Sequence, residues 1–188
     1  ILGKDATIRE IHHRVKNNLQ TVASLLRLQA ASADEVEPRK ALDDSVNRIL
    51  AIAAVHEVLT ERRDDDVDLG ELVERLRAML VQGLGGGKQV TSRVEEISLH
   101  GGRATALALV FSELLQNALE HGGDQVRVEL ESQNGGVRLT VADNGSWGGD
   151  AREGTGLSIV RALVRDELKG ELSLASDGGL RAEVVFPP

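Results

Sequence analysis

The chain of 188 residues has no cysteine and no tyrosine, and it holds one tryptophan, two phenylalanines and three prolines. The lack of cysteine excludes a disulfide framework and thiolate metal sites. With hydrophobic residues at 41% but aromatics at only 2%, a core must be built from Leu, Val, Ile and Ala. No apolar run approaches the roughly 20 residues that a membrane span needs, and no signal peptide is visible. The expectation is a cytoplasmic protein with no membrane contact. The net charge of −8 argues against a general nucleic-acid binder. The length fits one large or two small domains. The chain begins Ile1-Leu2-Gly3 rather than with Met, which reads as a fragment of something longer.

What is present is organised around His12-His13-Arg14-Val15-Lys16-Asn17-Asn18-Leu19-Gln20. This stretch lies in a run of good helix formers from about Asp5 to Ala31, without Gly or Pro. At 100° per residue, Ile11, His12, Val15, Leu19, Val22 and Leu26 share one apolar stripe with Ile8, and His13, Lys16, Asn17 and Gln20 fall opposite. His12 is therefore expected to pack. His13 faces water among Arg9, Lys16 and Asn17, where an imidazole can attack a phosphoryl group and hold the product. On this stretch alone, an ordinary surface histidine explains the pattern as well.

Pro38 suits the first turn of a second helix, with Ala41, Leu42, Val46, Ile49, Ile52, Val55 and Leu59 at three- and four-residue steps. The stripes of both helices are wide. Two helices cannot cover them alone, so the hairpin is expected to pair with a second copy in a four-helix bundle, giving a homodimer. Packing of the hairpin on the rest of its own chain is the alternative. Arg62-Arg63-Asp64-Asp65-Asp66 reads as a solvated linker and divides a hairpin, 1–66, from a second domain, 67–188. Asp68 offers an N-cap, with Glu71 as the partner of a capping box, for a helix that Gly83-Leu84-Gly85-Gly86-Gly87 stops.

Beyond it, strands are expected at Gln89–Val94 and Glu96–Leu99, and a helix over Arg103–Glu120. A hairpin of period-two strands turns at Asn134-Gly135-Gly136, a loop runs from Asn144 to Thr155, and a helix covers Gly156–Leu168. A closing hairpin turns at Asp177-Gly178-Gly179. Helices among antiparallel hairpins indicate an α+β sandwich with helices on one face of a mixed sheet.

Three constellations in this half carry chemistry. Glu113, Asn117, Glu120 and His121 recur at i, i+4, i+7 and i+8 on one helix face, and oxygen donors one turn apart suit Mg²⁺. A plain solvated face has the same pattern. Val141-Ala142-Asp143-Asn144-Gly145 ends an apolar strand on an acid, which can accept from an exocyclic amine or simply form a turn. Gly154-Thr155-Gly156-Leu157 opens a helix, where free N–H groups and the helix dipole favour an anion. No Lys-Ser/Thr follows, so it is not a Walker loop.

In this order the three resemble the N, G1 and G2 boxes of the Bergerat (GHKL) ATP-binding fold of histidine kinases, gyrases, Hsp90 and MutL. Glu10-Ile11-His12-His13-Arg14-Val15-Lys16-Asn17-Asn18-Leu19-Gln20 is similar to the phosphoacceptor box of HisKA_2 sensor histidine kinases, relatives of the HWE kinases. Leu157–Val164 and Glu167-Leu168 resemble the same group's last helix. The likeness covers nearly the whole chain, and looks closest to soluble actinobacterial members that signal to RNA-binding antiterminator regulators.

The resemblance implies a helical hairpin for dimerisation and phosphotransfer followed by a Bergerat ATP-binding domain, with ATP and Mg²⁺ as cofactors and a response-regulator receiver domain as partner. It makes His13 the phosphorylated histidine. Asn117 would hold Mg²⁺, and Glu113 would orient the metal and water or polarise the histidine. Asp143 would bind the adenine amino group. Gly145, Gly154, Thr155, Gly156 and Leu157 would shape the lid and meet the phosphates, with His121 beside the nucleotide. Asn17 would position water for dephosphorylating the regulator. The sequence departs from the pattern in places. Arg14 follows His13 where many kinases have an acid, so Glu10 is the candidate base. Ser112 replaces the HWE histidine, Glu120 stands where Lys or Arg is frequent (Arg152 could supply that charge), and Trp147 interrupts the lid glycines. A silent dimerising docking module and a Bergerat serine kinase remain the alternatives.

Overall fold

The structure is a computed structural model. It describes Thr7, Glu10, Ile11, Arg14, Val15, Asn17, Asn18, Thr21, Val22 and Leu25, and then residues 38–61, 66–146, 154–176 and 178–188. The residues described between 7 and 25 are all helical and belong to helix α1. Helix α2 spans Pro38–Glu61 and starts on its proline, as expected. Asn18 of α1 donates to the His56 ring of α2, linking the two helices.

The apolar stripe of α2 divides into two faces. Arg48, Ala51, Ile52, Ala54, Val55 and Val58 are buried, whereas Val46, Ile49 and Leu50 are about half exposed. The buried face packs on the chain's own later helices. Ile11 and Val15 of α1 are also exposed, while Leu25 is buried. The hairpin thus packs within the chain and still leaves apolar surface open.

Strand β1, Asp66–Asp68, is a correction to the solvated-linker reading at Asp66. Its three residues pair antiparallel with β3, Ser98–His100, and Val67 is fully buried between two exposed or half-buried acids. One apolar residue between aspartates shows no strand periodicity, so only the pairing reveals it. Helix α3, Leu69–Leu84, is capped as expected, with Asp68 Oδ1 accepting from Gly70 N at 3.0 Å. Glu71 accepts from Arg75 Nη2 at 3.1 Å, one turn on. Gly86 and Gly87, at φ 52° and 83°, turn the chain where a side chain would be strained.

A five-stranded mixed sheet has the order β2 (Gln89–Val94), β4 (Gln125–Gln133), β5 (Gly136–Asp143), β7 (Leu180–Phe186), β6 (Glu171–Ser176). Only β2 and β4 are parallel. The β4–β5 turn is at Asn134 and Gly135, both with positive φ, 51° and 76°, as a tight hairpin requires. Period-two alternation sorts the sheet. Val126, Val128, Leu130, Leu139, Val141 and Val184 are buried under the helices. The other face carries charged neighbours, with Arg138 Nε donating to Glu131 at 2.8 Å and Arg127 Nε lying 2.7 Å from Glu129.

Helix α4, Gly101–His121, differs from its sequence reading. An amphipathic helix with a polar outer face was expected, yet nearly every residue from Ala104 to Leu119 is buried, Glu113 and Gln116 included. The helix lies among α2, α3, α5 (Thr155–Asp166) and the sheet, so it has almost no solvent face. Among the described residues, no helix is long and apolar enough to cross a membrane.

Leu139 sits in the central strand, fully buried between Leu130 and Val184, while Val185 lies on the open face, 44% exposed. Leu139→Ala should cost about 2–5 kcal/mol and Val185→Ala less than about 1 kcal/mol, as read from urea unfolding midpoints.

Candidate functional site

The later half brings its three constellations together along α4. At the C-terminal end of that helix, Lys88 Nζ donates to the Gly122 carbonyl at 2.9 Å and lies 3.5 Å from that of Ala118, closing the last turn. Gly122 and Gly123 then run against the end of β5. A Cβ on Gly122 would stand 2.8 Å from Asp143 Cβ, and one on Gly145 would stand 2.4 Å from Gly123 N. Gly179, at φ 149°, closes on the Asp143 carbonyl from the β6–β7 turn. No side chain fits at these points.

The corner formed there holds Asp143, a buried carboxylate. Its Oδ1 accepts from Gly145 N at 2.9 Å and from Leu180 N at 3.5 Å. Asn144 fastens the same corner, its Oδ1 accepting from Gln125 N at 3.0 Å and its Nδ2 donating to Asp124 Oδ1 at 2.8 Å. A cavity of about 420 Å³ lies beside it, lined by Gln89, Gln125, Arg127, Asn144 and Arg181 among others. Asp143 also lines it, and several of the other side chains belong to the helix-free face of the sheet.

Nine residues up the helix, a rise of about 13 Å, Glu113 meets the start of α5. Its Oε2 would lie 2.7 Å from a Cβ on Gly156, so the carboxylate closes on the backbone of the first turn. Gly154 is the N-cap of α5, and among the described residues nothing lies within 4 Å of a Cβ built there and no side chain caps the helix. The first-turn N–H groups and the helix dipole favour an anion there. Leu157 is buried beneath, and Thr155 opens the helix. The side chain of Asn117, half-buried one turn after Glu113, makes no hydrogen bond among the described residues. The amide oxygen of Asn117 and the carboxylate of Glu113 fit a hard divalent cation that also takes phosphate oxygens.

Glu113 has a partner that the sequence reading missed. Its Oε1 accepts from Arg48 Nε of α2, and both side chains are almost fully buried. Burial pushes the Glu113 carboxyl above its ordinary pKa. The Arg48 guanidinium opposes that shift, and Asp44 and Glu120 add to it. Next to this pair, Gln116 Nε2 donates to Asp44 Oδ1 at 2.6 Å and to Glu120 Oε1 at 3.1 Å. A signal did exist. Arg48 shares a helical face with Ala51, Val55 and Val58, and a charged residue on an apolar stripe implies a buried partner.

Other expected residues lie apart. His121 is exposed at the end of α4, 3.8 Å from Glu120. Glu10 accepts from Arg14 Nη2 at 2.8 Å, so the residue that replaces the usual acid holds the candidate base. Asn17 is exposed, and its carbonyl accepts from Thr21 Oγ1 at 3.0 Å. Ser112, in the HWE histidine's place, is buried with its hydroxyl unpaired among the described residues. His12, His13, Trp147 and Arg152 lie outside the described residues.

Comparison with known proteins gives the family and the fold. Residues 10–84 match the HisKA_2 histidine kinase model. Residues 102–188 match the model of histidine kinase-, DNA gyrase B- and HSP90-like ATPases. The sensor histidine kinase PdtaS of Mycobacterium tuberculosis is 41% identical over 99% of this chain and 40% of its own length. Blue-light-activated histidine kinase 2 of Erythrobacter litoralis is 27% identical over 93% of this chain and 54% of its own length. The chain therefore spans roughly half the length, or less, of these relatives. The histidine kinase domain of the E. litoralis EL346 blue-light-activated kinase shares the fold, with a TM-score of 0.74 at 23% identity over 97% of this chain and 91% of that one. A HisKA_2 segment joined to a GHKL ATPase fold places this chain in the HisKA_2 family of histidine kinases.

Proposed function

We propose that the chain is the core of a cytoplasmic two-component sensor kinase, which phosphorylates itself on His13 and passes the group to an aspartate of a response-regulator receiver domain. The observation that carries this reading is the convergence on α4. Asp143 is packed against the helix's C-terminal end, and the start of α5 lies against Glu113 in its middle. That spacing suits an extended nucleoside triphosphate, with its base at Asp143 and its phosphates at α5.

In this reading the Asp143 carboxylate accepts the adenine amino proton. The first turn of α5, from Gly154 to Leu157, takes phosphate oxygens. Asn117 and Glu113 would hold Mg²⁺, which would neutralise charge on the phosphates. The ATP-binding domain, 67–188, moves relative to the hairpin, 1–66, and brings the γ-phosphoryl in line with His13. The imidazole nitrogen forms a bond to the γ-phosphorus as the bond to the β,γ-bridging oxygen breaks, ADP leaves, and Glu10 takes the ring proton. Catalysis is chiefly positioning and electrostatics. Asn17 orients water for hydrolysis of the regulator's aspartyl phosphate, which releases inorganic phosphate and restores the aspartate. The exposed Ile11, Val15, Val46, Ile49 and Leu50 supply the apolar surface of a homodimer.

Incubation with Mg²⁺ and γ-labelled ATP should give acid-labile label in wild type and His12→Ala, and none in His13→Ala. Acid-stable label points to a serine kinase, and label in none of the three to a silent module. Asp143→Asn keeps the acceptor for Gly145 N but removes the charge. It should weaken ATP binding by about tenfold or more, the value of a charged hydrogen bond, in a calorimetric titration. Ile49→Glu should convert a dimer to monomer in sedimentation, and a wild-type monomer would refute the bundle.

A further inference from the structure

The face of α2 that packs on α4 is polar along one edge, and that edge meets the candidate nucleotide site. Lys40, Asp44, Asn47 and Arg48 follow at i, i+4, i+7 and i+8, opposite Glu120, Gln116 and Glu113 in reverse order. Lys40 Nζ lies 3.8 Å from Glu120 Oε2. Asp44 accepts from Gln116 Nε2 at 2.6 Å, and Asn47 Nδ2 donates to Gln116 Oε1 at 3.4 Å. Arg48 donates to Glu113. A cleft of about 450 Å³ runs beside this seam, lined by Lys40, Asp43, Asn47, Gly83, Gln116 and Glu120 among others.

We propose that this seam is an autoinhibitory latch, in which α2 and the metal-bound nucleotide compete for Glu113. The inference rests on the nucleotide-site reading given above. A carboxylate hydrogen-bonded to a buried guanidinium is poorly available to a divalent cation, because metal and guanidinium would then sit side by side as like charges in a region shielded from water. Movement of α2 away from α4 frees Glu113, and metal-bound nucleotide at Glu113 loosens α2. Linkage makes the two effects equal.

The seam's composition suits a reversible contact. A buried ion pair adds little net stability, because the cost of desolvating both charges offsets their attraction. Amide and carboxylate contacts at Gln116 exchange readily for water when the helices part. The contact is nonetheless specific, since removing one partner leaves the other charge buried and unpaired. A displacement of the hairpin is thereby transmitted to the nucleotide site through a single side chain.

The test uses the whole chain, Mg²⁺ and a non-hydrolysable ATP analogue in a calorimetric titration. Arg48→Met keeps length and apolar bulk but frees Glu113, and the double variant Asp44→Asn/Asn47→Ala weakens the seam while leaving both ion-pair members in place, with Asn47→Ala alone as the control for the charge that Asp44 sets beside Glu113. Arg48→Met and the double variant should both bind the nucleotide more tightly, Arg48→Met by at least about fivefold, the lower end of typical coupling. In wild type, adding nucleotide should speed amide hydrogen exchange in the central turns of α2. Should Arg48→Met fail to fold, the double variant and the exchange data decide. Wild-type binding that is unchanged or weakened in the variants, with α2 exchange unaffected, overturns the latch and leaves the nucleotide site standing. No binding in any protein overturns the nucleotide site, and the latch with it.

Discussion

The burial of α4 on every side is the constraint on which the rest of the structure depends. A helix between two others, a sheet and a hairpin has little solvent in which to place polar groups, so its buried charged and amide side chains, Glu113 and Gln116, must meet partners. Gln116 meets α2, and Glu113 meets α2 on one side and the start of α5 on the other. The site is thus defined by where neighbouring elements leave lines of contact along a single buried helix. The long apolar series Ala104 to Leu119 secures that helix, and the few polar residues within it acquire fixed positions at little cost to the fold.

Close backbone approach supplies the second requirement. Asp143 is held at the end of β5 because Gly122 and Gly179 bring two separate segments against it, and Gly145 lets its own segment close on Gly122 and Gly123. A carboxylate in such a corner has its rotamer restricted by packing and its Oδ1 engaged by Gly145 N. It is therefore oriented before a ligand arrives, which lowers the entropy lost on binding. Gly154 contrasts with these, since nothing among the described residues lies within 4 Å of a Cβ built there. Its backbone is extended, so the fold does not itself demand glycine at the entry to α5.

The strands and helices of the later half were legible because their patterns are strong. The alternation at Gln125–Leu130 and Val137–Val141, the Asn134-Gly135 turn and the Asp68 cap each have a local cause, and each is in place. The residues named at Glu113, Asp143 and Gly156 were legible only through order and spacing, since each alone reads as a turn or a solvated face. Strand β1 was not legible, because one buried valine between aspartates gives no period. The partner of Glu113 lay hidden for a different reason. Arg48 stands 65 residues earlier, and which buried charges pair across such a distance is decided by the packing of α2 on α4. The glycines at 122 and 179 likewise serve contacts made only in three dimensions.

The two faces of α2 give the hairpin two different kinds of bond. Val46, Ile49 and Leu50 on the open face offer apolar contact, whose strength grows with area and is indifferent to small rotations. Asp44, Asn47 and Arg48 on the other offer directional contacts that are lost when donor and acceptor separate by a fraction of a turn. A rotation of α2 that preserves the apolar contact therefore breaks the polar one first. With the proposed dimer on the open face and the proposed latch on the other, the helix stays associated on one side while releasing on the other, and the residue it releases is the carboxylate facing the first turn of α5. That division converts a small movement of the hairpin into a discrete change at the nucleotide site, without requiring the core around α4 to repack.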